Sequence, residues 1–391
     1  MSQAAPYLPG PPDEPDQPAA GMQQRIRAAL RSKLLLVPLG IVLLLIAIPG
    51  GAYVFAASQL SQAQSSQAAG AYSRALSAYA TVHAVAGNPV ARPLLGDLND
   101  RAVTGTAETH FLWGTQLKQQ GKFAESETQL NAVVQSGIAD EAARGNAALA
   151  DLFIAWAQAL VAQQQFQAGI DKYKQVSAFD PAGNLSPITN AGLAAAYAAY
   201  AQWYTQQQPP DYPNALVWYE TLKKVFPDSP EAKQAAADAF PQTLYNAGLA
   251  FVKQEKYQQA VDAMTELVQN YPTTTWATQA NVALHASQPL TGKLIVSDQN
   301  PTPVANRLVR IASKWQIVAP HTYDDSKGQI YGTTTDANGS FTVKLPPGQY
   351  LITWWDPARR TFVTTFVSDN TPVNVVTVNP LQPASTTVAT S

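Results

Sequence analysis

Between residues 72 and 272 one pattern of side chains keeps returning, and it leaves such a chain few ways to fold. An aromatic residue is followed three positions on by a small one and four further on by a large apolar one. An aliphatic residue and, in the better copies, a proline come next. The fullest copies are Tyr257, Ala260, Met264, Leu267, Pro272; Phe166, Gly169, Tyr173, Val176, Pro181; and Tyr212, Ala215, Tyr219, Leu222, Pro227. Phe123, Ser126, Leu130, Val133 is a weaker copy, and Tyr72, Ala75, Tyr79, Val82 a degenerate one. Spacings of three and four put these side chains on one helix face. The small residue lets a neighbouring helix come close, and the proline stops the helix. Each copy follows another apolar-periodic helix, as in THFLWGTQLKQQ, LFIAWAQALVAQ and TLYNAGLAFVKQ. Gly114 and Gly248 sit inside two of these, where glycine costs about 1 kcal/mol, so close packing is the expected reason for them. The alternative, an irregular bundle with accidental periodicity, has to explain aligned anchors in successive copies.

The stretch LYNAGLAFVKQEKYQQAVDAMTELVQNYP, Leu244 to Pro272, resembles the tetratricopeptide repeat at nearly every signature position. The resemblance runs from about Ala68 to Ser287, and it implies an all-α solenoid of helical hairpins. One departure is that the aromatic anchors are 43 to 51 residues apart, against about 34 in the family. Longer helices or loops, such as Gln206 to Asp211 and Ala182 to Pro187, must take up the difference. The resemblance further implies a ligand groove lined by the first helix of each repeat. Carried over position by position, the groove holds Phe111, Thr115 and Lys118, then Ile154, Gln158 and Val161. It continues with Gln242, Tyr245, Asn246, Leu249, Val252 and Lys253. Asn246 matches a position that often holds a peptide backbone. The basic carboxylate clamp of some relatives is missing, since only Lys118 and Lys253 are cationic. The expected ligand is therefore an amphipathic helix or extended apolar segment held by Phe111, Ile154 and Tyr245. The competing reading is that these side chains pack on the chain's own inserts.

After Pro289 the period changes to two. Phe341, Val343 and Leu345 alternate with polar residues, and Tyr350, Ile352 and Trp354 alternate with Leu351 and Thr353, as in half-buried strands. Asp336-Ala337-Asn338-Gly339 reads as a tight turn, and Pro347-Gly348 suits the centre of a type II turn. Further strands are expected near Lys293 to Ser297, Leu308 to Ser313, Thr361 to Val367 and Val373 to Val378. The run TTTDANGSFTVKLPPGQYLITW resembles the carboxypeptidase regulatory-like domain, a small transthyretin-like β-sandwich, over about Thr291 to Pro380. That resemblance implies a non-catalytic module. Asp336 and Asn338 alone do not make a calcium loop, which needs six to eight oxygens. Of Trp354 and Trp355 one must face outward, to stack on a sugar ring or to pack on the helical repeats. The Ser/Thr-rich tail, 381–391, is expected to be disordered.

Near the other end, Leu34 to Ala57 reads LLLVPLGIVLLLIAIPGGAYVFAA, with no charge. About 20 apolar residues span a bilayer. Arg25, Arg27, Arg31 and Lys33 precede the stretch, and the first charge after it is Arg74. The positive-inside rule then leaves the N-terminus in the cytoplasm and the bulk of the chain outside. A cleaved signal peptide is the competing reading, against which stand the long lead and the long apolar stretch. The proline-rich segment 1–33 is expected to be a disordered cytoplasmic tail, a spacer or a polyproline ligand.

Composition excludes several classes. Lys and Arg total 25 against 27 Asp and Glu, so no basic excess marks a nucleic-acid binder. Cysteine is absent, which removes disulfides, thiolate metal sites and cysteine nucleophiles. His83, His110, His285 and His321 have no metal-ligand spacing. No P-loop, dinucleotide fingerprint or nucleophile elbow occurs, and Asp324-Asp325 reads as a solvated turn. The chain is thus expected to be a multidomain protein: tail 1–33, transmembrane helix 34–57, helical repeats 58–288, β-sandwich 289–380, and tail 381–391. No catalytic residues, metal or cofactor are assigned. The expected role is a membrane-anchored extracytoplasmic scaffold holding a protein partner. The alternatives are a cell-envelope glycan or peptidoglycan binder, and an accessory subunit of an exported enzyme or transporter.

Overall fold

The computed structural model describes residues 50–299, 301–368 and 370–390. The expected cytoplasmic tail and most of the expected transmembrane stretch lie outside the described residues. The chain divides into two compact units, 1–152 and 153–391.

In the first unit, helix α1 covers residues 50–68. It is followed by α2 (Tyr72–Ala86), α3 (Arg92–Gln119), α4 (Phe123–Val134) and the first part of α5 (Ala139–Ala162). α1 is continuous across residue 57. Its Ala56, Leu60 and Ala63 are buried in one cluster with Ala75, Tyr79 and Val82 of α2 and Leu95, Leu98 and Ala102 of α3. Among the described residues, α5 is the helix long and apolar enough to cross a membrane. Its Arg144 and Asp151, however, are ion-paired to Glu108 and Lys118 of α3, so it is a helix of the array.

The second unit continues with α6 (Phe166–Gln175), α7 (Ser186–Thr205), α8 (Tyr212–Val225), α9 (Pro230–Ala237), α10 (Ala239–Lys253), α11 (Tyr257–Asn270) and α12 (Thr275–His285). All five aromatic anchors, Tyr72, Phe123, Phe166, Tyr212 and Tyr257, are the first residues of helices. The small and large apolar residues that follow them are buried in every copy. A Cβ on Gly114 would come within 2.8 Å of Leu130, and one on Gly248 within 2.9 Å of Met264. The mid-helix glycines are therefore the sockets into which the large apolar anchors fit. Chain reversals within the hairpins use left-handed residues at Gly70, Gly121, Gln164 and Glu255. The extra length per repeat lies mainly in the first helices, with 28 residues in α3, 24 in α5 and 20 in α7. The short α9 adds more.

The C-terminal part is all-β. Strand β1 (Gln288–Ile295) lies between β6 (Ser340–Leu345) and β12 (Ala384–Ala389). A second sheet has the order β11 (Val375–Val378), β7 (Gly348–Asp356), β2 (Leu308–Ala312), β5 (Ile330–Thr334), with β8 (Thr361–Val363) beside β7. Two ribbons pair β3 (Gln316–Ala319) with β4 (Thr322–Asp324), and β9 (Phe366–Ser368) with β10 (Thr371–Pro372). Leu290, Leu294, Phe341, Leu345 and Val388 of the first sheet share one core with Val309, Ile311, Tyr350, Ile352, Trp354, Val376 and Val378 of the second.

Three expectations are corrected. Ala384–Ala389 is no disordered tail: it pairs in parallel with β1 and buries Val388 opposite Leu294, because β1 offers it an open edge. Gly348 lies outside the left-handed region and opens β7, whereas a type II turn needs that conformation there. The left-handed glycine is Gly339, at φ +73°. There Asp336 Oδ1 accepts the amides of Asn338 and Ser340, both at 2.8 Å. Finally, β7 is buried on both faces: Leu351 and Thr353 are as covered as Tyr350 and Ile352. The β4 ribbon supplies the second cover, with Tyr323 Oη donating to the Phe362 carbonyl at 3.2 Å.

Candidate functional site

In the first unit the groove residues expected on α3 do line one cleft. Phe111, Thr115 and Lys118 face Arg144, Ala147, Ala148 and Asp151 of α5 across a space of about 300 Å³ floored by Leu130. The Arg144 guanidinium lies 3.6 Å over the Phe111 ring. It is paired with Glu108 and, at 3.5 Å, with Glu141, and the hydrogen bond it donates to Glu108 raises its already high pKa further. Lys118 is held by Asp151. The cleft is thus apolar along its floor and flanked by ion pairs. Sequence reasoning missed Arg144 and Asp151: both lie on α5, but N-terminal to Ile154, Gln158 and Val161, the positions carried over onto that helix. A charge facing its opposite on the neighbouring hairpin was the available signal.

In the second unit the expected groove residues separate. Ile154 is only 7% exposed and belongs to the core. Gln158 is on the surface. Its hydrogen bond offsets part of the burial that raises the Tyr173 pKa. On α10, Tyr245, Asn246 and Leu249 fall on one stripe. Tyr245 packs on Trp276 of α12 with ring centroids 5.7 Å apart. Asn246 Nδ2 donates to the Gln242 carbonyl of its own helix at 3.0 Å. Leu249 and Lys253 are exposed. Trp276 is a partner that lies beyond the last repeat copy.

A further aromatic cluster centres on Tyr200 of α7. Its ring centroid is 4.6 Å from Trp218, 5.0 Å from Phe166 and 5.0 Å from Tyr204. The Tyr200 and Tyr204 hydroxyls are 3.2 Å apart. That hydrogen bond, with burial second, pushes the Tyr204 pKa up to about 12. The run AAYAAYAQWY, with aromatics three and four apart, carried this signal in the sequence.

In the β-region Trp354 is core and Trp355 turns outward, where it meets Phe362 edge-on at 5.3 Å. The outward tryptophan therefore packs on the domain itself. Beside it, Arg310, His321, Tyr323, Asp325, Arg359, Phe362 and Phe366 line a cleft of about 630 Å³. Asp325 was expected in a solvated turn, but it is 8% exposed and paired with Arg310 at 2.7 Å. Asp324 is the solvated member; the Ser326 amide, donating at 2.9 Å, holds its carboxyl below the ordinary range. Among the described residues no group of three or more His, Asp or Glu side chains is placed to hold a metal.

No protein-family model matches the sequence, and no curated protein matches it significantly. Among solved structures, a TPR repeats protein from Bacteroides fragilis is 16% identical, with 57% of this chain and 95% of that one covered and a TM-score of 0.30. YrrB, described as a TPR protein with an unusual peptide-binding site, is 12% identical over 57% of this chain and 90% of its own, at a TM-score of 0.17. The MamA protein is 14% identical over 56% and 92%, at 0.20. Scores this low add no argument to the chain's own geometry. Its sockets and anchors make the helical region a tetratricopeptide-like repeat array, followed by a β-sheet-rich region.

Proposed function

We propose that this protein is a non-enzymatic scaffold that binds a protein partner through its helical array. The observation that carries the reading is the cleft between α3 and α5. It has an apolar floor of Phe111 and Leu130 and rims of Arg144 with Glu108 and Lys118 with Asp151. An amphipathic helix or extended segment matches that combination of apolar floor and paired charge. Buried aromatics such as Phe111 commonly contribute about 2 kcal/mol or more each at interfaces. The Tyr245–Trp276 pair with exposed Leu249 is a second apolar surface of the same kind.

The same proposal places the scaffold at a membrane. The apolar stretch Leu34 to Ala57 is its anchor, and the basic residues before it leave the array and the β-region outside the cytoplasm. The β-region is read as a carboxypeptidase regulatory-like sandwich serving as a non-catalytic module. A second reading, glycan binding, draws on the cleft where Phe362 and Phe366 accompany Arg310 and Asp325; retention on purified cell-wall polysaccharide tests it.

The deciding experiment is a cross-linked pull-down of the full chain from detergent-solubilised membranes, compared with Ala147→Trp, which fills the α3–α5 cleft from an exposed position. Partner lost with unchanged thermal stability is the expected result, and a partner retained at wild-type level overturns the site. Tyr245→Ala with Asn246→Ala tests the second surface in the same assay. Protease added to spheroplasts should digest the β-region, and protection there overturns the topology.

A further inference from the structure

We propose that the turn between α2 and α3, together with the first turn of α3, sits in the same bilayer leaflet that receives the end of the anchor, forming a second lipid contact beside it. The inference rests on the anchor reading above and adds to it a surface and its occupant, the interfacial lipid layer.

The geometry follows from one hairpin. α1 and α2 run antiparallel and reverse at Gly70, with Gly70 N donating to Gln67 O and Ala71 N to Ser66 O, both at 2.9 Å. Two helices rising about 1.5 Å per residue bring the end of α2 back to roughly the level where α1 begins. Packing agrees, since Ala52 of α1 and Ala91 of the α2–α3 turn lie against the cluster that buries Ala56 and Ala86. The turn 87–91 is therefore at the height of residues near 50. Counted from Leu34, a hydrocarbon layer of about 30 Å takes about 20 residues and ends near Tyr53. The tip of the turn then lies on the order of 5 Å below that level, the depth at which interfacial segments bury their apolar side chains.

The surface chemistry fits that position. Among the described residues of the first unit, the exposed large apolar side chains are Tyr53 (51%), Val54 (68%), Phe55 (48%), Val90 (88%) and Leu94 (68%). All five lie at this end, on two elements that meet there. The opposite end, around Gly70, carries Gln64, Ser65, Gln67, Ala68 and Ala69 and exposes no large apolar side chain. Residues 50–73 and 87–91 hold no charge at all. The first charge after the turn, Arg92, is exposed and long enough to reach outward to headgroups. Tyr53 stands where aromatic residues gather at membrane surfaces. With a second point of contact, the array is held at a set tilt instead of swivelling on a single helix.

The chain has no cysteine, so single cysteines can be placed without background. The full chain carrying Tyr53→Cys, Val90→Cys, Leu94→Cys or Gln64→Cys is labelled with a polarity-sensitive fluorophore. Each is reconstituted in phosphatidylcholine–phosphatidylglycerol vesicles with or without spin-labelled acyl chains. The expected result is blue-shifted, lipid-quenched emission at positions 53, 90 and 94, with water-like, unquenched emission at 64. Quenching at 53 without quenching at 90 and 94 overturns this inference and leaves the anchor standing. No quenching at 53 overturns both. Blue-shifted emission at 90 that spin-labelled lipid does not quench, with cross-links between chains, identifies a second copy as the occupant and also overturns it.

Discussion

Tyr79 lies over Gly105 in the helical array, and Phe341 lies over Gly292 in the β-region. The two contacts look alike but serve different architectures. In the array a missing side chain lets two helix axes approach, and the motif is repeated locally: Leu130 at Gly114, Tyr173 at Gly192, Met264 at Gly248. In the β-region the sheets stand about 10 Å apart, and large residues from both fill the space. Gly292 is the directly opposite cross-strand partner of Phe341. Cohesion differs accordingly. Each helical hairpin leans on its sequence neighbours, whereas β1 is joined to β12, nearly the whole β-region away in sequence. Damage should therefore stay local in the array and spread through the β-region.

The largest expected effect comes from removing β12. A chain ending at Pro380 loses the edge strand of β1 and the buried Val388. Its β-region should fail to fold, while the helical circular dichroism signal persists. Fragments 288–380 and 288–390 provide the sharper comparison; a cooperative melt in the shorter one would mean that β12 is an ornament.

Next come the large anchors. Phe341→Ala should cost about 3–5 kcal/mol and Met264→Ala about 2–5 kcal/mol in urea unfolding. What separates the regions is hydrogen exchange: loss of protection throughout both sheets for the first, but confined to α10, α11 and their neighbours for the second. Equal spread in the two would break the contrast.

Smaller effects belong to the sockets. Gly105→Ala and Gly192→Ala gain about 1 kcal/mol of helix propensity, but their methyls meet the Tyr79 and Tyr173 rings, an overpacking that typically costs about 1–3 kcal/mol. A net fall in melting temperature is expected. A rise would show that the neighbouring helices can separate at no cost.

The mildest test uses alkali. Burial, ahead of the nearby Tyr331, pushes the Tyr350 pKa up to about 12, and its hydroxyl donates to the Pro346 carbonyl at 2.7 Å. A group whose folded pKa is raised contributes stability in full below its unfolded value near 10, and that contribution is lost as pH rises through about 12. The β-region should weaken across that window, and Tyr350→Phe should flatten the loss. Tyr204, raised to about 12 mainly by its bond to Tyr200, should leave the melt of the β-region unchanged.

What was legible in the sequence was local. A spacing of three and four needs only one helix to express itself, so every aromatic anchor marked a helix start, and the glycines at 114 and 248 announced close packing before any partner was known. Alternation of Phe341, Val343 and Leu345 did the same for β6, and Asp336 to Gly339 for its preceding turn. Part of the candidate cleft was legible too, because Phe111, Thr115 and Lys118 share one face of α3. The rest depended on residues that meet only after folding. A Ser/Thr-rich tail has no period strong enough to declare itself, and it became β12 because β1 left hydrogen-bonding groups unpaired along one edge. Asp325 looked solvated until Arg310, brought in by β2, buried it. The ring that Tyr245 packs on, Trp276, arrives only with α12. Periodicity carries the elements of this protein because it is written in neighbouring residues. Burial of a polar or aromatic side chain is decided by a partner far along the chain, and only the tertiary structure supplies that partner.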